Sequence, residues 1–301
     1  MLINAHNMAV LFTAVSTQFK NAFQKYQDDT WQKFARLQPV SAGILEMPFL
    51  EQIARMREWV GPRMVNRLSA DKLTVKIRKF EETYEVPREA VEDDTYGMYS
   101  SLLEQMAQSC ANLPNDLVEE LLNDAASAKW CDGSAFFGTT RKYGKTPIAN
   151  TSTKALTSES LKEAYTTMAS YKGHGGDSLR VRPTVLIHGP ALKFKAKELL
   201  ENESILEEGT VGAAAVPNPT RGLVEAVELP GLKGNKWFLA AASGVIQPVY
   251  YFERTRPDQV VRKDQERDSN VFSEDTFLYG ARGRASAAFV LPHLIYFGNA
   301  E

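Results

Sequence analysis

Three carboxylates stand side by side in the stretch "AVEDDTYG", at Glu92, Asp93 and Asp94. Adjacent acids can hold a divalent cation when further oxygen ligands converge on them. They can also begin a helix, because its unpaired N–H groups and the positive end of its dipole favour negative charge. The sequence indicates no further ligands. We therefore expect these acids to begin the helix that follows, and we predict no metal site.

The segment "GTTRKYGKT", residues 138–146, resembles a phosphate-binding loop. It has five residues between its glycines where the motif requires four, and Pro147 disfavours the helix that must follow. The glycine-rich "KGHGGDS" follows a helical pattern and lacks the third glycine of a dinucleotide fingerprint. The four histidines show no metal-ligand spacing. We predict no catalytic residue and no cofactor; the enzyme hypothesis that remains is a nucleotide-dependent activity using Lys145.

The composition is that of a globular protein, with 44% hydrophobic and 24% charged residues. A formal net charge of −2 argues against a protein whose whole surface binds a polyanion. Cys110 and Cys131 form neither a CxxC pair nor a disulfide framework, which favours a reducing compartment. The sequence lacks the run of about 18 apolar residues that crosses a bilayer, and its start lacks the features of a signal peptide. We expect a soluble, cytoplasmic protein.

Apolar periodicity predicts the helices. Val15, Phe19, Phe23 and Tyr26 indicate an N-terminal amphipathic helix that packs on its own core or lies on a partner. A longer series passes straight through Pro114 and predicts a rod of about 25 residues, roughly 35–40 Å long. Its apolar members are Leu103, Met106, Cys110, Leu113, Leu117 and Leu121.

Beyond Trp130 the sequence predicts mixed α and β structure. Thr157 or Ser158 caps a helix whose core face is Leu161, Ala164, Tyr165 and Met168. "PTVLIHG" is typical of a buried strand, and "PALKFKAKELLEN" of a helix begun by proline. Four later segments, separated by glycine and proline turns, read as strands: "GLVEAVEL", "KWFLAA", "QPVYYFER" and "TFLYGARGRASAAFV".

Charges are sorted along two predicted strand segments that meet near Arg78–Lys79. Residues 55–79 hold eight basic and two acidic side chains, a net charge of +6. Residues 80–94 hold seven acidic side chains and one basic, a net charge of −6. Three interpretations remain open: a solvated hairpin, nucleic-acid contact by the basic half, or pairing of the basic strip of one copy with the acidic strip of the next.

The succession of these segments resembles the major head subunit of Mu-type tailed phages and their prophages. The likeness covers nearly the whole chain in order, and its most specific parts are "EWVG…R" and "KFEETYEVPREAVEDD". The resemblance implies an α+β chain with the Johnson fold, the Hong Kong-phage type of capsid architecture. On that template residues 1–40 are an N-terminal arm and 41–92 an extended β-hairpin loop. Residues 93–130 and 262–301 form a peripheral domain with a spine helix, and 131–261 form an axial domain.

The resemblance implies a structural function: self-assembly into the icosahedral shell that encloses the DNA genome. The implied partners are copies of the chain in hexamers and pentamers, portal, scaffold and decoration proteins, and packaged DNA contacted without sequence specificity; no membrane is implied. The protein would belong to the virion and assemble in the bacterial host cytoplasm. The nearest alternative is the shell of an encapsulin-like nanocompartment.

Contacts between copies are expected on the charge-sorted segment. Trp59, with arginines around it, is the candidate anchor, since tryptophan and arginine are enriched at the energetic centres of interfaces; a purely local apolar cluster is the alternative. The candidate contact residues are Arg55, Arg57, Trp59, Arg63, Arg67, Lys76, Arg78, Lys79, Glu81, Glu82, Glu85, Glu92, Asp93 and Asp94.

Overall fold

The structure is a computed structural model that describes residues 5–50, 68–92, 98–143, 146–173, 176, 178–206 and 215–300. Within these residues the α-helices are α1 (Ala5–Tyr26), α2 (Arg88–Glu92), α3 (Met98–Asn123), α4 (Ser158–Ala169), α5 (Lys193–Glu201) and α6 (Ser269–Glu274). None of the helices in this part of the chain is both long enough and apolar enough to cross a bilayer.

The strands of the described residues are short except for the last but one. They are β1 (Ala35–Pro39), β2 (Ile44–Leu50), β3 (Leu68–Lys76), β4 (Arg78–Pro87), β5 (Arg141–Tyr143), β6 (Thr146–Ile148), β7 (Thr151–Ser152), β8 (Val185–His188), β9 (Ser204–Leu206), β10 (Ala215–Pro217), β11 (Glu225–Glu228), β12 (Asn235–Ala240), β13 (Val249–Thr255), β14 (Val260–Lys263), β15 (Thr276–Phe289) and β16 (Ile295–Ala300).

The first sheet is organised around β15, a strand of 14 residues. β13 and β14 pair antiparallel with one edge of β15, and β4 pairs antiparallel with it from Thr276↔Pro87 to Ala285↔Arg78. β1 adds to β13 in parallel. We call the face of this sheet that α1 and α3 cover the inner face, and the opposite one the outer face.

The helix α3 is the rod that the apolar periodicity predicts. It runs for 26 residues, about 39 Å at 1.5 Å per residue, and continues through Pro114. Proline cannot donate to the carbonyl of Cys110, so one helical hydrogen bond is missing there. Side-chain packing compensates: Met106 is fully buried and shares a cluster with Phe19 of α1 and Phe277 of β15. The N-terminal helix therefore packs on its own chain.

The second sheet has the order β11-β8-β12-β16-β7, and both of its faces are buried. One face packs under α4 and α5, through Leu186, Trp237, Leu239 and Tyr296. The other face joins the core of the first sheet through Val185, Ile187, Phe238 and Phe297. The near-continuous apolar runs of β8 and β12 follow from this two-sided burial.

An aromatic cluster joins the two sheets. The Phe137 ring centroid lies 5.1 Å from that of Phe289 in the first sheet and 5.2 Å from that of Phe297 in the second. Phe136 stacks on Phe289 at 4.9 Å. Edge-on and offset contacts of this kind add to the free energy gained by burying the rings. The two sheets are therefore parts of one packed unit.

Strand pairing crosses the domain limits that were expected from the sequence. Residues 131–261 contribute strands to both sheets, because β13 belongs to the first sheet together with β15. The limit at 261/262 falls inside β14, and the last strand, β16, pairs with β12 in the second sheet. Each sheet is thus assembled from segments that are far apart in the chain, and no single cut in the sequence separates them.

Thr157 caps α4 as the sequence predicts. Its Oγ1 accepts a hydrogen bond from the Ser160 backbone N–H at 3.1 Å, and the Ser160 Oγ accepts from the Thr157 N–H at 2.9 Å. This reciprocal arrangement is a capping box, with serine in the position usually held by glutamate.

Replacing Thr157 with alanine should lower the free energy of unfolding by about 1 kcal/mol, because the Ser160 backbone N–H loses its acceptor. The measurement is urea-induced unfolding of the unassembled subunit, followed by circular dichroism. Thr166→Ala on the exposed side of the same helix is the matched control and should change stability by less than about 0.5 kcal/mol. Equal losses in the two variants would contradict the capping role.

Candidate assembly surface

β2 and β3 form an antiparallel hairpin whose foot rests on the outer face. Leu73, Val75 and Ile77 are buried there, packed with Tyr250, Phe252 and Val290. The residues that alternate with them, Lys72, Thr74 and Lys76, are exposed. This alternation is the one that the sequence predicts. The hairpin is therefore anchored at its foot by apolar contacts, while its charged side chains face away from the body.

The chain changes phase at Ile77 and continues as β4, also as predicted. Lys79, Glu81, Thr83 and Glu85 are exposed on the outer face. Their neighbours Phe80, Tyr84 and Val86 lie on the inner face, against α1, α3 and the shared core. β3 and β4 do not pair with each other, since β3 pairs with β2 and β4 pairs with β15. The basic and acidic blocks thus lie on two different sheets.

Arg78 makes its contacts within the subunit. Its Nη1 donates to Oε1 of Glu120 on α3 at 2.8 Å and its Nη2 donates to Oε2 at 2.5 Å. The guanidinium also lies 5.2 Å from the centre of the Phe80 ring. These hydrogen bonds lower the pKa of the Glu120 carboxyl. Arg78 therefore fastens β4 to α3, a role that differs from the intersubunit contact expected from the sequence.

The remaining candidates on β3 and β4 fall into two groups. Lys76, Lys79 and Glu85 are exposed and make no ion pair within the described residues, and Glu81 accepts only from the Thr83 hydroxyl. Glu82 instead points to the inner side, where it is half-buried and accepts from the Tyr84 hydroxyl at 3.0 Å. The first group remains available for contacts between copies, whereas Glu82 supports the fold.

The expectation that Glu92 begins the long helix is wrong. Glu92 is the last residue of the short helix α2, and α3 begins only at Met98. The other candidates lie outside the described residues, and their intersubunit roles stay predictions: Arg55, Arg57, Trp59, Arg63, Arg67, Asp93 and Asp94.

An arginine cluster on the outer face was not predicted. Arg282 and Arg284 of β15 point away from α3, since Gly283 between them faces Leu113 of that helix. Arg254 reaches the same place from a β-bulge in β13. The spacing "RGR" suggests that two of the side chains share a face. No local signal in the sequence brings Arg254 to them.

The glycine-rich segment at 138–146 has the wrong structure for a phosphate loop. β5 and β6 form a small antiparallel hairpin, with Lys142 opposite Pro147. Thr146 begins a strand, so no helix N-terminus is present to bind phosphate groups. Lys145, the basis of the enzyme hypothesis, lies outside the described residues.

Burial favours the neutral forms of the Cys110 thiol and the His293 ring. Burial raises the pKa of the Cys110 thiol to about 12 and lowers that of His293 to about 4. The Nδ1 of His188 lies 2.9 Å from the carbonyl oxygen of Gly189. Among the described residues no three His, Cys, Asp or Glu side chains are grouped as metal ligands would be. These side chains contribute to packing.

The comparisons with known proteins concern the whole chain. The sequence model of the family described as Mu-like prophage major head subunit gpT matches residues 8–148, 141–232 and 215–301. The chain belongs to this family. It is therefore a major head subunit of a tailed phage or prophage, a structural protein and not an enzyme.

Among relatives of this head subunit is the major capsid protein of Escherichia phage Mu, 23% identical over 279 residues. The match covers 92% of this chain and 69% of the relative. In the procapsid of bacteriophage JBD30, the matching chain is 21% identical, with a TM-score of 0.57, covering 99% of this chain and 77% of that one. The fold is thus the Johnson fold, as the sequence resemblance implied.

The same fold also occurs in nanocompartment shells. The SrpI encapsulin of Synechococcus elongatus PCC 7942 superimposes with a TM-score of 0.54 and 12% identity, covering 91% of this chain and 89% of that one. Fold similarity alone therefore does not separate a phage head from a nanocompartment. The sequence family does, and it places this chain with the head subunits.

Replacing Arg78 with methionine should destabilise the head subunit by about 0.5–1 kcal/mol near neutral pH, because both partners of the ion pair are about half exposed. The pKa of Glu120 is lowered in the folded state, so the pair stabilises above the ordinary carboxyl value near 4.5 and ceases to do so as the pH falls through the lowered value. Urea unfolding of both proteins across this pH range measures the difference.

The double variant Arg78→Met/Glu120→Gln provides the control. If the two side chains act on each other, the double variant should lose no more stability than the single Arg78 variant. Additive losses, or a difference that does not change with pH, would mean that Arg78 acts through its contact with Phe80 alone.

Proposed function

We propose that this head subunit forms its shell by laying the β2–β3 hairpin of its extended loop over a neighbouring copy, while β4 stays in the first sheet of its own subunit. The anchored foot of the β2–β3 hairpin supports this role. Leu73, Val75 and Ile77 fix the hairpin to the outer face, while Ile44 at the same end leaves 60% of its surface exposed. A hairpin held by one end can reach across to another subunit in a defined direction.

The exposed charges of the hairpin and of β4 set the register of the neighbour in this proposal. Lys72 is partly neutralised by Glu46, at 2.8 Å, but Lys76 and Lys79 have no acidic partner within the described residues. Complementary charge fixes orientation and encounter rate more than affinity. Many modest contacts of this kind, repeated by symmetry, are sufficient for a closed shell.

The domain assignment follows the two sheets. The first sheet with α1 and α3 corresponds to the peripheral domain, and the second sheet with α4 and α5 to the axial domain around the five- and six-fold axes. The hexamers and pentamers of the shell would be built from these domains, and portal, scaffold and decoration proteins would be further partners.

Packaged DNA would contact the inside surface of the shell without sequence specificity. The shell would assemble in the host cytoplasm before becoming part of the virion. The net charge of −2 supports this arrangement, because a strongly basic wall would hold the genome that must later leave.

Negative-stain electron microscopy of the purified protein, expressed with its neighbouring genes, tests the proposal. The wild type should form closed shells. Replacing Arg57, Arg63 and Arg67 by glutamate should leave the circular dichroism spectrum unchanged but abolish particles, since the loop would repel the copy it has to contact.

The variant with lysine at all three positions preserves the charge and is the control; it should still form particles. Normal shells from the glutamate variant would show that the loop arginines do not direct assembly.

A further inference from the structure

The arginine cluster, Arg254, Arg282 and Arg284, concentrates positive charge on the outer face, where Glu81 lies opposite Arg282 in the β4–β15 ladder and makes no ion pair with it. Within the described residues none of the three guanidinium groups makes an ion pair or a hydrogen bond. The Arg284 Nε is buried and has no acceptor. Desolvation, followed by the like charges of Arg254 and Arg282, lowers the pKa of Arg284. Three like charges at one place cost free energy unless an anion lies between them.

The backbone around the cluster leaves space for two of these groups. A Cβ atom on Gly43, at the foot of the hairpin, would lie 3.2 Å from Nη1 of Arg254 and 3.7 Å from Nη2 of Arg284. The absence of a side chain there lets both guanidinium groups converge. Lys79 lies directly opposite Arg284 in the β4–β15 ladder and adds a further exposed cation. Planar guanidinium groups in this arrangement suit carboxylate oxygens.

Two carboxylates lie at the other end of the same strand pair, where exposed Lys263 of β14 lies opposite Leu278 from the other side. Glu85 is exposed on the outer face, opposite Leu278, and Glu89 is exposed in the first turn of α2. Neither carboxylate has a hydrogen-bond or ion-pair partner within the described part of the chain. Six residues of strand separate Leu278 from Arg284, about 20 Å along the sheet. We call Glu85 and Glu89 the acidic end.

One edge of β4 pairs with β15, and its other edge runs along the same strand pair as the arginine cluster and the acidic end. Within the described residues β4 pairs only with β15, so its second edge is not covered by another strand. A copy turned by a two-fold rotation and set along this edge would place its acidic end beside the arginine cluster. Its own cluster would at the same time lie beside the acidic end of the first copy. One interface would thus be complementary to itself, as a two-fold contact requires.

We propose that the arginine cluster binds the acidic end, Glu85 and Glu89, of a second copy across such a two-fold axis. The proposal deepens the proposed function, on which it rests, by naming a contact outside the extended loop. A second copy fits better than DNA, because Glu85 lies on the same sheet as the arginine cluster, Glu89 follows in the adjoining helix, and the chain is not basic overall. Phosphate groups of DNA are the competing occupant in the test.

The test uses charge reversal in the full-length protein. Arg254→Glu/Arg284→Glu and Glu85→Lys/Glu89→Lys should each weaken self-association of the unassembled subunit at low ionic strength at least about tenfold. The variant with all four substitutions should recover wild-type association, because both ends are reversed together. Sedimentation velocity measures association, circular dichroism verifies folding, and Arg254→Lys/Arg284→Lys preserves the charge.

Three outcomes overturn the inference: wild-type association in either charge-reversed pair, no recovery in the four-fold variant, or DNA binding that depends on these arginines while Glu85→Lys/Glu89→Lys associates normally. The last is measured by fluorescence anisotropy with a short duplex. Shell formation is observed separately by microscopy. Wild-type protein that associates in pairs but forms no shells would remove the proposed function and leave this contact standing.

Discussion

The close approach of α3 to β15 is the contact on which the rest of the subunit depends. It requires small side chains on the inner face of the strand: a Cβ on Gly283 would lie 2.9 Å from Cδ2 of Leu113, and Ala281 and Ala285 are almost completely buried. Because α3 lies this close, the inner face of β15 is covered by packed side chains. Its edges then remain free to pair with β4, β13 and β14.

The strand β15 therefore has three structural roles in the subunit. Its inner face holds the rod, its ladder with β4 receives the chain coming from the hairpin, and its outer face presents Arg282 and Arg284. The aromatic cluster around Phe289 fixes the position of β15 relative to the second sheet. A shell subunit has to hold fixed angles between such parts, and a dry, close-packed core resists deformation more than a set of exposed ion pairs does.

The sequence predicts what depends on local periodicity. The α3 rod, the capped helix at Thr157 and the alternation of Leu73, Val75 and Ile77 all follow from the spacing of apolar residues, and the structure has each of them. Contacts between residues that are far apart in the sequence do not follow from this spacing. The partner of Arg78 lies 42 residues away on another element, so its intrachain role could not be read from the charge block around it.

The pairing of the last strand and the arginine cluster could not be predicted from the sequence for the same reason. Burial of β16 between β12 and β7 depends on tertiary contacts, and the convergence of Arg254 on Arg284 depends on a bulge. The family likeness supplied the fold where periodicity could not. The family likeness did not predict which charged side chains lack a partner, because this can be decided only when the contacts within the chain are known.

The outer face carries like charges that lie close together and make no ion pair within the subunit. Arg78, Lys72 and Arg141 all have carboxylate partners within the chain, at distances from 2.5 to 3.3 Å. The arginine cluster and the acidic end have none among the described residues. A monomer gains nothing by keeping like charges together, since each such group raises the free energy of its neighbours. A subunit that associates with other copies gains specificity from such charges. They are neutralised only in the correct arrangement of copies and repel each other in incorrect ones.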